Sequence, residues 1–325
     1  MRRRRLLVLS TPLIAVAALV LATAGPPKPL STPPGTFAFG ATGDSPYLPW
    51  EDLQYPLVTQ ELDGTDLAFV VHVGDIFWRP CSDAHYRTTR ARFDRSRHPL
   101  FYTPGDNEWA DCWEPGSGGF LPLDRLDSIR RIFFDEPRVS FGAAKLSADT
   151  QADDPAFATF PENVRWTHRG VVFATVHLVG SWNATRSYPG RTKAEDAAAH
   201  ARTEAAAAWM RAAFLRARET AAPAVVILFH GNPNFESPAG DRGREPYEPF
   251  LTALVEEAER FGRPVLVVHG DEHIYLIDHP VGAKNVTRMQ VPGSPLVAWV
   301  RVVVDPRARD PFSFDEHVVP RWKYW

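Results

Sequence analysis

Five short segments that carry Asp or His follow apolar stretches of the sequence, and this arrangement constrains the fold more than any other feature. They are Gly43–Pro46, His72–Asp75, Pro104–Glu108, Leu228–Asn232 and His269–His273. Four of the five follow β-rich apolar runs such as LAFVVHVGD and RPVLVVHGDEH, which are typical of buried strands. Strand ends in an open α/β sheet meet at one crevice, so residues far apart in sequence can converge there. We therefore predict an α/β fold in which the five segments form one site.

The side chains of these segments favour metal chemistry. Carboxylates and imidazoles gathered at one place can hold a divalent metal ion and lower the pKa of its bound water, which indicates a metal-dependent hydrolase. The sequence contains no Gly-x-Ser-x-Gly elbow, Walker loop, His-Glu-x-x-His or Gly-x-Gly-x-x-Gly motif, so serine esterases and nucleotide-cofactor enzymes are disfavoured. The formal net charge is −3, and no basic run occurs outside the first residues. We therefore predict no nucleic-acid-binding surface, which would need a basic face.

The pattern of apolar residues predicts an alternation of strands and helices. We expect strands at about 36–43, 66–73, 99–104, 164–168, 171–179, 223–230, 263–269, 273–278, 286–291 and 296–304. Helices are predicted at about 51–62, 83–95, 124–134, 193–219 and 246–261. The early strands alternate with helices as in βαβ units, whereas the later ones look antiparallel, and a hairpin should turn at Arg169 and Gly170. We expect an α/β fold of two face-to-face mixed sheets flanked by helices, with an unreadable loop-rich stretch between Glu114 and Pro161.

The first 35 residues differ from the rest of the chain. Residues 1–24 resemble a secretory signal peptide, because a basic stretch (Arg2–Arg5) and an apolar run (Leu6–Leu21) precede small residues (Ala22–Ala24). An uncleaved membrane anchor is the alternative, since the apolar run is almost long enough to span a bilayer. Residues 25–35 predict a stiff proline-rich spacer, and residues 36–325 predict one domain. Both readings predict an exported protein, which contacts the membrane only if the first segment is uncleaved.

The two cysteines, Cys81 and Cys112, each lie six residues after a candidate metal ligand, Asp75 or Asp106. If the strands before these aspartates are neighbours, the loops that carry the cysteines leave the sheet side by side. In an exported protein this arrangement predicts a Cys81–Cys112 disulfide. Two unpaired thiols are the alternative.

Taken together, the five segments resemble the motif blocks of the calcineurin-like metallophosphoesterase superfamily, which includes the purple acid phosphatases. The blocks of that family are Asp-x-His, Gly-Asp, Gly-Asn-His-Asp/Glu, a lone His after a strand, and Gly-His-x-His. The corresponding segments occur here in the same order over residues 37–273, with aspartate at several positions. The chain thus looks like a divergent, Asp-rich subgroup. The resemblance implies a four-layer αββα sandwich that hydrolyses small phosphate mono- or diesters, using a water activated by two divalent metal ions. It leaves the oligomeric state open.

The resemblance also implies a role for each candidate ligand. Asp44 and His273 would bind the first metal ion, and Asp75 would bridge both ions. Asp106, His230 and Asp271 would bind the second ion, with aspartates at the usual Asn and first His positions. Carboxylate-rich ligation favours Mn²⁺ or Mg²⁺ over Zn²⁺, although iron and zinc remain possible occupants.

Two departures from the family pattern affect the chemistry. Pro46 stands where the first block has a metal-binding His, and Asn107 stands where the third block has the catalytic His. An amide can hydrogen-bond a phosphoryl oxygen but has no proton to transfer near neutral pH. Glu108, His72, His269 or metal-bound water would then protonate the leaving group. A degenerate, non-catalytic member that binds metal or phosphate is the alternative to an enzyme.

Aromatic and amide residues near the five segments leave two interpretations open. Tyr47, Trp78 and Trp109 directly follow the first three blocks and either line a pocket or pack the base of the loops. Asn183 and Asn232 either contact substrate oxygens or cap loops.

Overall fold

The computed structural model describes residues 32–280 and 282–319. The predicted signal peptide or anchor, residues 1–24, lies outside the described residues, as does most of the predicted spacer. Within the described part of the chain, no helix is both long and apolar enough to cross a membrane.

The described residues form strands and helices in alternation. The strands are β1 (Phe37–Thr42), β2 (Val70–His72), β3 (Leu100–Tyr102), β4 (Asp149–Thr150), β5 (Val164–His168), β6 (Val171–Thr175), β7 (Val225–Leu228), β8 (Val265–His269), β9 (Leu276–Asp278), β10 (Val286–Gln290), β11 (Ala298–Val304) and β12 (Phe312–Val318). The helices are α1 (Pro49–Gly64), α2 (Asp83–Asp94), α3 (Pro122–Phe133), α4 (Gly180–Ala184), α5 (Lys193–Glu219) and α6 (Glu248–Phe261). Of these, α4 is a single turn with left-handed backbone angles.

The strands form two mixed sheets, one with the order β12-β11-β1-β2-β3 and one with the order β4-β5-β6-β7-β8-β10-β9. In the first sheet β1, β2 and β3 are parallel, and in the second β6, β7, β8 and β10 are parallel. The prediction that the later strands are antiparallel is therefore wrong for β10. It is wrong because β9 takes the outer position of the sheet, and β10 returns between β9 and β8 in the direction of β8.

Three layers of buried apolar side chains hold the architecture together. One lies between α1–α3 and the first sheet, with Leu62 and Phe93 among its members. A second lies between the sheets and contains Phe39 and Leu228, and a third joins the second sheet to α5 and α6 through Met210 and Leu254. The predicted arrangement of two face-to-face mixed sheets flanked by helices is confirmed.

The predicted helices agree with the observed ones to within two residues at each end. The start of α5, which is poorly defined in the sequence, is a capping box, in which the Thr192 hydroxyl accepts a hydrogen bond from the Ala194 backbone N–H and Glu195 accepts one from the Thr192 backbone N–H. The β5–β6 hairpin turns at Arg169 and Gly170, both with positive φ, as expected. The Cys81–Cys112 disulfide is confirmed, with a Cα–Cα distance of 5.8 Å.

Candidate metal centre

The candidate ligands follow the carboxyl ends of parallel strands from both sheets. Asp44, Asp75 and Asp106 follow β1, β2 and β3, whereas His230 follows β7 and Asp271 follows β8. The two groups meet where the Asp271 amide donates a hydrogen bond of 3.0 Å to the Asp44 carboxylate. The ends of the two sheets therefore build one site, as expected from the sequence.

The His230 imidazole lies at the middle of this site and is completely buried. Its Nδ1 is 2.9 Å from the Val73 carbonyl, which fixes the ring and directs Nε2 toward the carboxylates. Nε2 is 2.9 Å from an oxygen of Asp106, 3.2 Å from Asp75 and 3.8 Å from Asp271. One nitrogen thus faces three carboxylates, an arrangement that calls for a positive charge between them.

The structure brings five of the six candidate ligands together, in two overlapping groups. Asp44, Asp75 and His230 offer one set of ligand atoms within 4.8 Å of one another, and Asp106, His230 and Asp271 offer another. His273 lies at the edge, with Nε2 3.8 Å from Asp44 and Nδ1 2.7 Å from the Ser294 carbonyl. Each of the two groups offers ligand atoms that are close enough together to hold a metal ion.

Four of the six candidate ligands have a strained backbone. The φ angles are 52° at Asp44, 56° at Asp75, 82° at Asp271 and 60° at His273. Residues other than glycine rarely adopt positive φ, and such residues concentrate at functional sites where the surrounding fold imposes the conformation. The strain is thus an indication of function that does not depend on the chemistry of the side chains.

The electrostatics of the cluster also call for cations. Burial, together with the neighbouring carboxylates, raises the pKa of Asp44 to about 6, that of Asp271 to about 7 and that of Asp75 well above its usual range. Burial alone would lower the pKa of His230, but the surrounding aspartates raise it well above its ordinary value. One oxygen of Asp44 is buried without a hydrogen-bond partner. Hard oxygen donors in excess of positive charge, with one of them unpaired, fit divalent metal ions.

Glycines let the backbone approach these carboxylates closely. A Cβ atom at Gly105 would overlap the Asp75 carboxylate, and one at Gly270 would overlap the Asp44 carboxylate. The two carboxylates therefore lie against bare backbone, where a larger residue than glycine would displace them.

The residues predicted to be catalytic occupy different environments. The backbone N–H of Asn107 donates a hydrogen bond of 3.2 Å to the Asp75 carboxylate, and the residue is partly exposed. Glu108 is fully buried, and its carboxylate accepts hydrogen bonds from the Ile76 amide at 3.2 Å and the Tyr102 hydroxyl at 2.9 Å. Glu108 therefore fixes the backbone of the loop that carries Asp75, through its hydrogen bond to Ile76.

The two histidines considered as alternative acids, His72 and His269, are also buried. Burial lowers the pKa of each imidazole to about 3, so neither carries a transferable imidazolium proton near neutral pH.

Tyr47 belongs to the centre in a way that the sequence did not reveal. Its ring is buried and its hydroxyl hydrogen-bonds a carboxylate oxygen of Asp75. Pro46 has no side-chain atom that can bind a metal ion. The next residue of this segment, Tyr47, supplies a hydroxyl to the centre instead. A Tyr one residue after that Pro was visible in the sequence, but nothing local indicated whether its hydroxyl points inward.

The left-handed turn α4 forms one wall of the centre. Its residues Ser181–Ala184 all have φ between 50° and 57°, a conformation that costs about 1–2 kcal/mol per residue. Arg202 is buried and donates hydrogen bonds to the backbone and side-chain oxygens of Asn183, at 2.5 and 2.9 Å. The backbone N–H of Asn183 donates a hydrogen bond of 2.8 Å to the Tyr247 hydroxyl. Asn183 therefore stabilises the turn through its hydrogen bonds. Because it is fully buried, it does not contact a substrate.

The same turn lies between the candidate ligands and a polar cavity of about 430 Å³. The Ser181 hydroxyl donates a hydrogen bond of 2.8 Å to Asp111, and the backbone N–H of Asn232 donates one of 2.7 Å to the Asp271 carboxylate. The cavity is lined by Asp106, Asp111, Ser181, Trp182, Arg186, Asn232, Asn234, Tyr247, Asp271 and Glu272. Its volume falls in the range of small-molecule sites, and it opens directly onto two candidate ligands.

No protein-family model matches this chain, and no curated protein matches it either. Several solved structures are similar to it. A 5'-nucleotidase from Candida albicans is 13% identical over 86% of this chain, with a TM-score of 0.42, and the chain spans half the length of that protein. A phosphopantetheinyl hydrolase from Mycobacterium tuberculosis is 15% identical, with a TM-score of 0.38 over 80% of this chain and 90% of the other. A phosphatase from Mycoplasma pneumoniae is 10% identical, with a TM-score of 0.45 over 87% of this chain and 94% of the other. These likenesses concern the fold alone.

Proposed function

We propose that this chain is an exported, metal-dependent phosphoesterase that hydrolyses phosphate mono- or diesters. The observation that supports the proposal most is the convergence of four aspartates and His230 at the ends of parallel strands from both sheets, with His273 at the edge. The order of the motif blocks along the sequence supports it independently. The Cys81–Cys112 disulfide supports export, because such bonds persist in oxidising compartments.

Two divalent cations fit the donor set, with Asp44, Asp75 and His273 toward the first and Asp106, His230 and Asp271 toward the second. The excess of carboxylates favours Mn²⁺ or Mg²⁺. When bound, the cations would supply the positive charge that activates a water and offsets the charge of the phosphoryl oxygens.

The remaining roles belong to residues around the cluster. Tyr47 orients the Asp75 carboxylate through its hydroxyl, and Glu108 fixes the loop after Asp75 by accepting a hydrogen bond from the Ile76 backbone N–H. Asn107, whose backbone N–H bonds Asp75, would donate a hydrogen bond from its side-chain amide to a phosphoryl oxygen. The neighbouring cavity would receive a polar group of the substrate.

The test is turnover of aryl phosphate mono- and diesters by purified protein with and without added Mn²⁺. We expect metal-dependent turnover that Asp75→Asn removes, because the neutral amide of Asn provides neither the charge nor the two equivalent oxygens of a bridging carboxylate. Asp66→Asn is the matched control, since Asp66 is exposed and far from the centre. Full activity in Asp75→Asn would refute the proposal.

A non-catalytic binding protein is the second candidate, because neither Pro46 nor Asn107 supplies the imidazole that the family pattern has at those positions. Stoichiometric Mn²⁺ binding without turnover of either ester class would favour this candidate over the enzyme.

A further inference from the structure

The polar cavity of about 430 Å³ adjoins the candidate metal ligands directly, since Asp106 and Asp271 both lie in its wall. The turn α4 begins against the same two carboxylates. A Cβ atom at Gly180 would come within 2.4 Å of an Asp271 oxygen and 2.7 Å of an Asp106 oxygen. A phosphoryl group held at these ligands would therefore have its ester substituent next to the cavity, which has the volume of a small-molecule site.

Two side chains of the strained turn α4 lie in the wall of the cavity. They belong to Ser181 and Trp182, whose φ angles are 50° and 56°. The Ser181 hydroxyl lies 2.8 and 2.9 Å from the two carboxylate oxygens of Asp111, and the Arg242 guanidinium lies over the Trp182 ring, 4.7 Å from its centroid. Backbone strain concentrates at functional sites, so it marks this wall independently of the volume of the cavity.

The other polar side chains of the cavity offer both donors and acceptors. Asn232 is buried, and its side-chain oxygen accepts the Asn234 backbone N–H at 3.1 Å, so its NH₂ group is left for a ligand. The Asn234 NH₂ group donates to the Gly243 carbonyl at 2.9 Å, which leaves the Asn234 side-chain oxygen. Arg186 can only donate and the Glu272 carboxylate can only accept. Within the described part of the chain, neither of these two side chains forms an ion pair or a hydrogen bond.

This mixture of groups selects the chemistry of the ligand. A second phosphate group would meet the Glu272 carboxylate, and an ammonium group would meet the Arg186 guanidinium, so an ion of either sign meets a like charge. An alkyl group would leave the donors and acceptors unpaired. A hydroxyl both donates and accepts, so several hydroxyls on one carbon skeleton would pair with both kinds of group. The Trp182 indole would give the C–H groups of that skeleton an apolar surface.

We propose that the substrate is a phosphate ester of a hydroxyl-rich alcohol, a sugar or another polyol, whose hydroxyls occupy this cavity. The inference rests on the proposed function, which places the phosphorus atom at the candidate ligands. In the reaction, the oxygen of a water forms a bond to phosphorus and the P–O bond of the ester breaks. The departing oxygen takes up a proton while the water gives one up. A monoester thus yields the alcohol and inorganic phosphate, and a diester yields an alcohol and a monoester.

The test compares pairs of esters that differ only in their hydroxyls, on Mn²⁺-loaded protein. The pairs are myo-inositol 1-phosphate with cyclohexyl phosphate, and sorbitol 6-phosphate with hexyl phosphate. Each pair is tested as monoesters and as 4-nitrophenyl diesters, in which the leaving group is the same. We expect kcat/KM for the polyol ester to exceed that for its analogue by at least about a hundred-fold in one pair. A hydrogen bond to a charged group is worth about ten-fold or more, and the cavity offers two such groups, Arg186 and Glu272.

A substitution in the wall of the cavity tests whether the hydroxyls bind there. Arg186→Met should bring the ratio about ten-fold closer to one, because it removes every N–H donor of the guanidinium and keeps a long side chain. Arg211→Met is the matched control and should leave the ratio and the activity unchanged, since Arg211 is exposed on α5 and outside the cavity. An unchanged ratio in Arg186→Met overturns the inference, because the hydroxyls would then bind elsewhere.

Two other outcomes overturn the inference and leave the phosphoesterase intact. One is equal turnover of the two members of both pairs. The other is faster turnover of phosphocholine or AMP than of either polyol ester, because the cavity would then hold a cation or a base.

Absence of turnover on every ester rejects the proposed function instead. Calorimetric binding of the same pairs of monoesters to Mn²⁺-loaded protein then decides the inference separately. Binding of one polyol ester at least about ten-fold tighter than its analogue, by a margin that Arg186→Met reduces and Arg211→Met does not, would support it. Equal affinities within both pairs would overturn it.

Discussion

The Cys81–Cys112 disulfide should contribute a large part of the stability of the chain, because it closes a loop of 31 residues. Opening it returns conformational freedom to the unfolded state, and the chain-entropy model gives a loss of about 3.7 kcal/mol at 25 °C for a loop of this length. Both cysteines are fully buried. Reduction changes almost no packing volume, so the reduced wild-type protein isolates the effect of the bond from the cavity that Cys→Ala variants would create.

The assay is urea unfolding of oxidised and reduced protein in EDTA, followed by the same comparison with saturating Mn²⁺. We expect the free energy of unfolding to fall by about 3–4 kcal/mol on reduction. The affinity for Mn²⁺ should fall as well, because the bond ties the loop after Asp75 to the loop after Asp106. A reduced protein within about 1 kcal/mol of the oxidised one would refute this reasoning. It would mean that residual structure already restricts the unfolded reduced chain, or that the bond strains the native state.

Three further predictions address the centre and its surroundings. Asp271→Asn should raise the melting temperature in EDTA, because it removes one of the crowded carboxylates. It should also abolish the gain of about 2.7 kcal/mol in the free energy of unfolding that is expected at an Mn²⁺ concentration a hundred times the dissociation constant. By scanning fluorimetry, a lower melting temperature than that of the wild type in EDTA, or an undiminished rise with Mn²⁺, would contradict it. Tyr47→Phe should weaken Mn²⁺ binding about ten-fold or more, because it removes a hydrogen bond to the charged Asp75 carboxylate, and an unchanged calorimetric affinity would argue against that role. Burial opposes ionisation of Glu162, but Arg130 at 2.6 Å lowers the pKa of this carboxyl to about 2. The ionised Glu162 therefore stabilises the fold above pH about 4.5, and about 3 kcal/mol should be lost as the pH falls toward 2; an equal acid sensitivity of Glu162→Gln in urea unfolding would disprove this.

The elements that the sequence predicted are those whose signals are local. The longest helix carries an Ala-rich run that Pro223 closes, and the buried strands are continuous apolar runs followed by Gly or Asp. The strand β12 was missed because it is a mostly exposed edge strand, in which Asp315 and Glu316 interrupt the alternation of apolar residues. The two-residue strand β4 was missed because pairing with Arg165 and Val164 of β5, and not its own composition, makes it a strand.

The candidate ligands were predictable for a related reason. Each lies within a few residues of a buried parallel strand, so the topology alone brings Asp44 and His230 together. The turn α4 could not be predicted in this way. Among Ser181–Ala184 only Asn183 belongs to a residue type that tolerates positive φ, and the stabilising groups, Arg202 and Tyr247, are far away in the sequence.

The sandwich explains why such an unfavourable centre persists. Four strained backbones and several buried carboxylates all destabilise the folded chain, yet they lie at the ends of strands whose ladders and buried side chains determine where each segment leaves the sheet. The Asp271 amide bonds the Asp44 carboxylate across the two sheets, and His230 reaches the Val73 carbonyl in the same way. Movement of one strand end would therefore break contacts in both sheets at once. The fold holds the mutually repelling carboxylates in place, and bound cations would relieve the repulsion. Metal binding should therefore stabilise the chain rather than rearrange it.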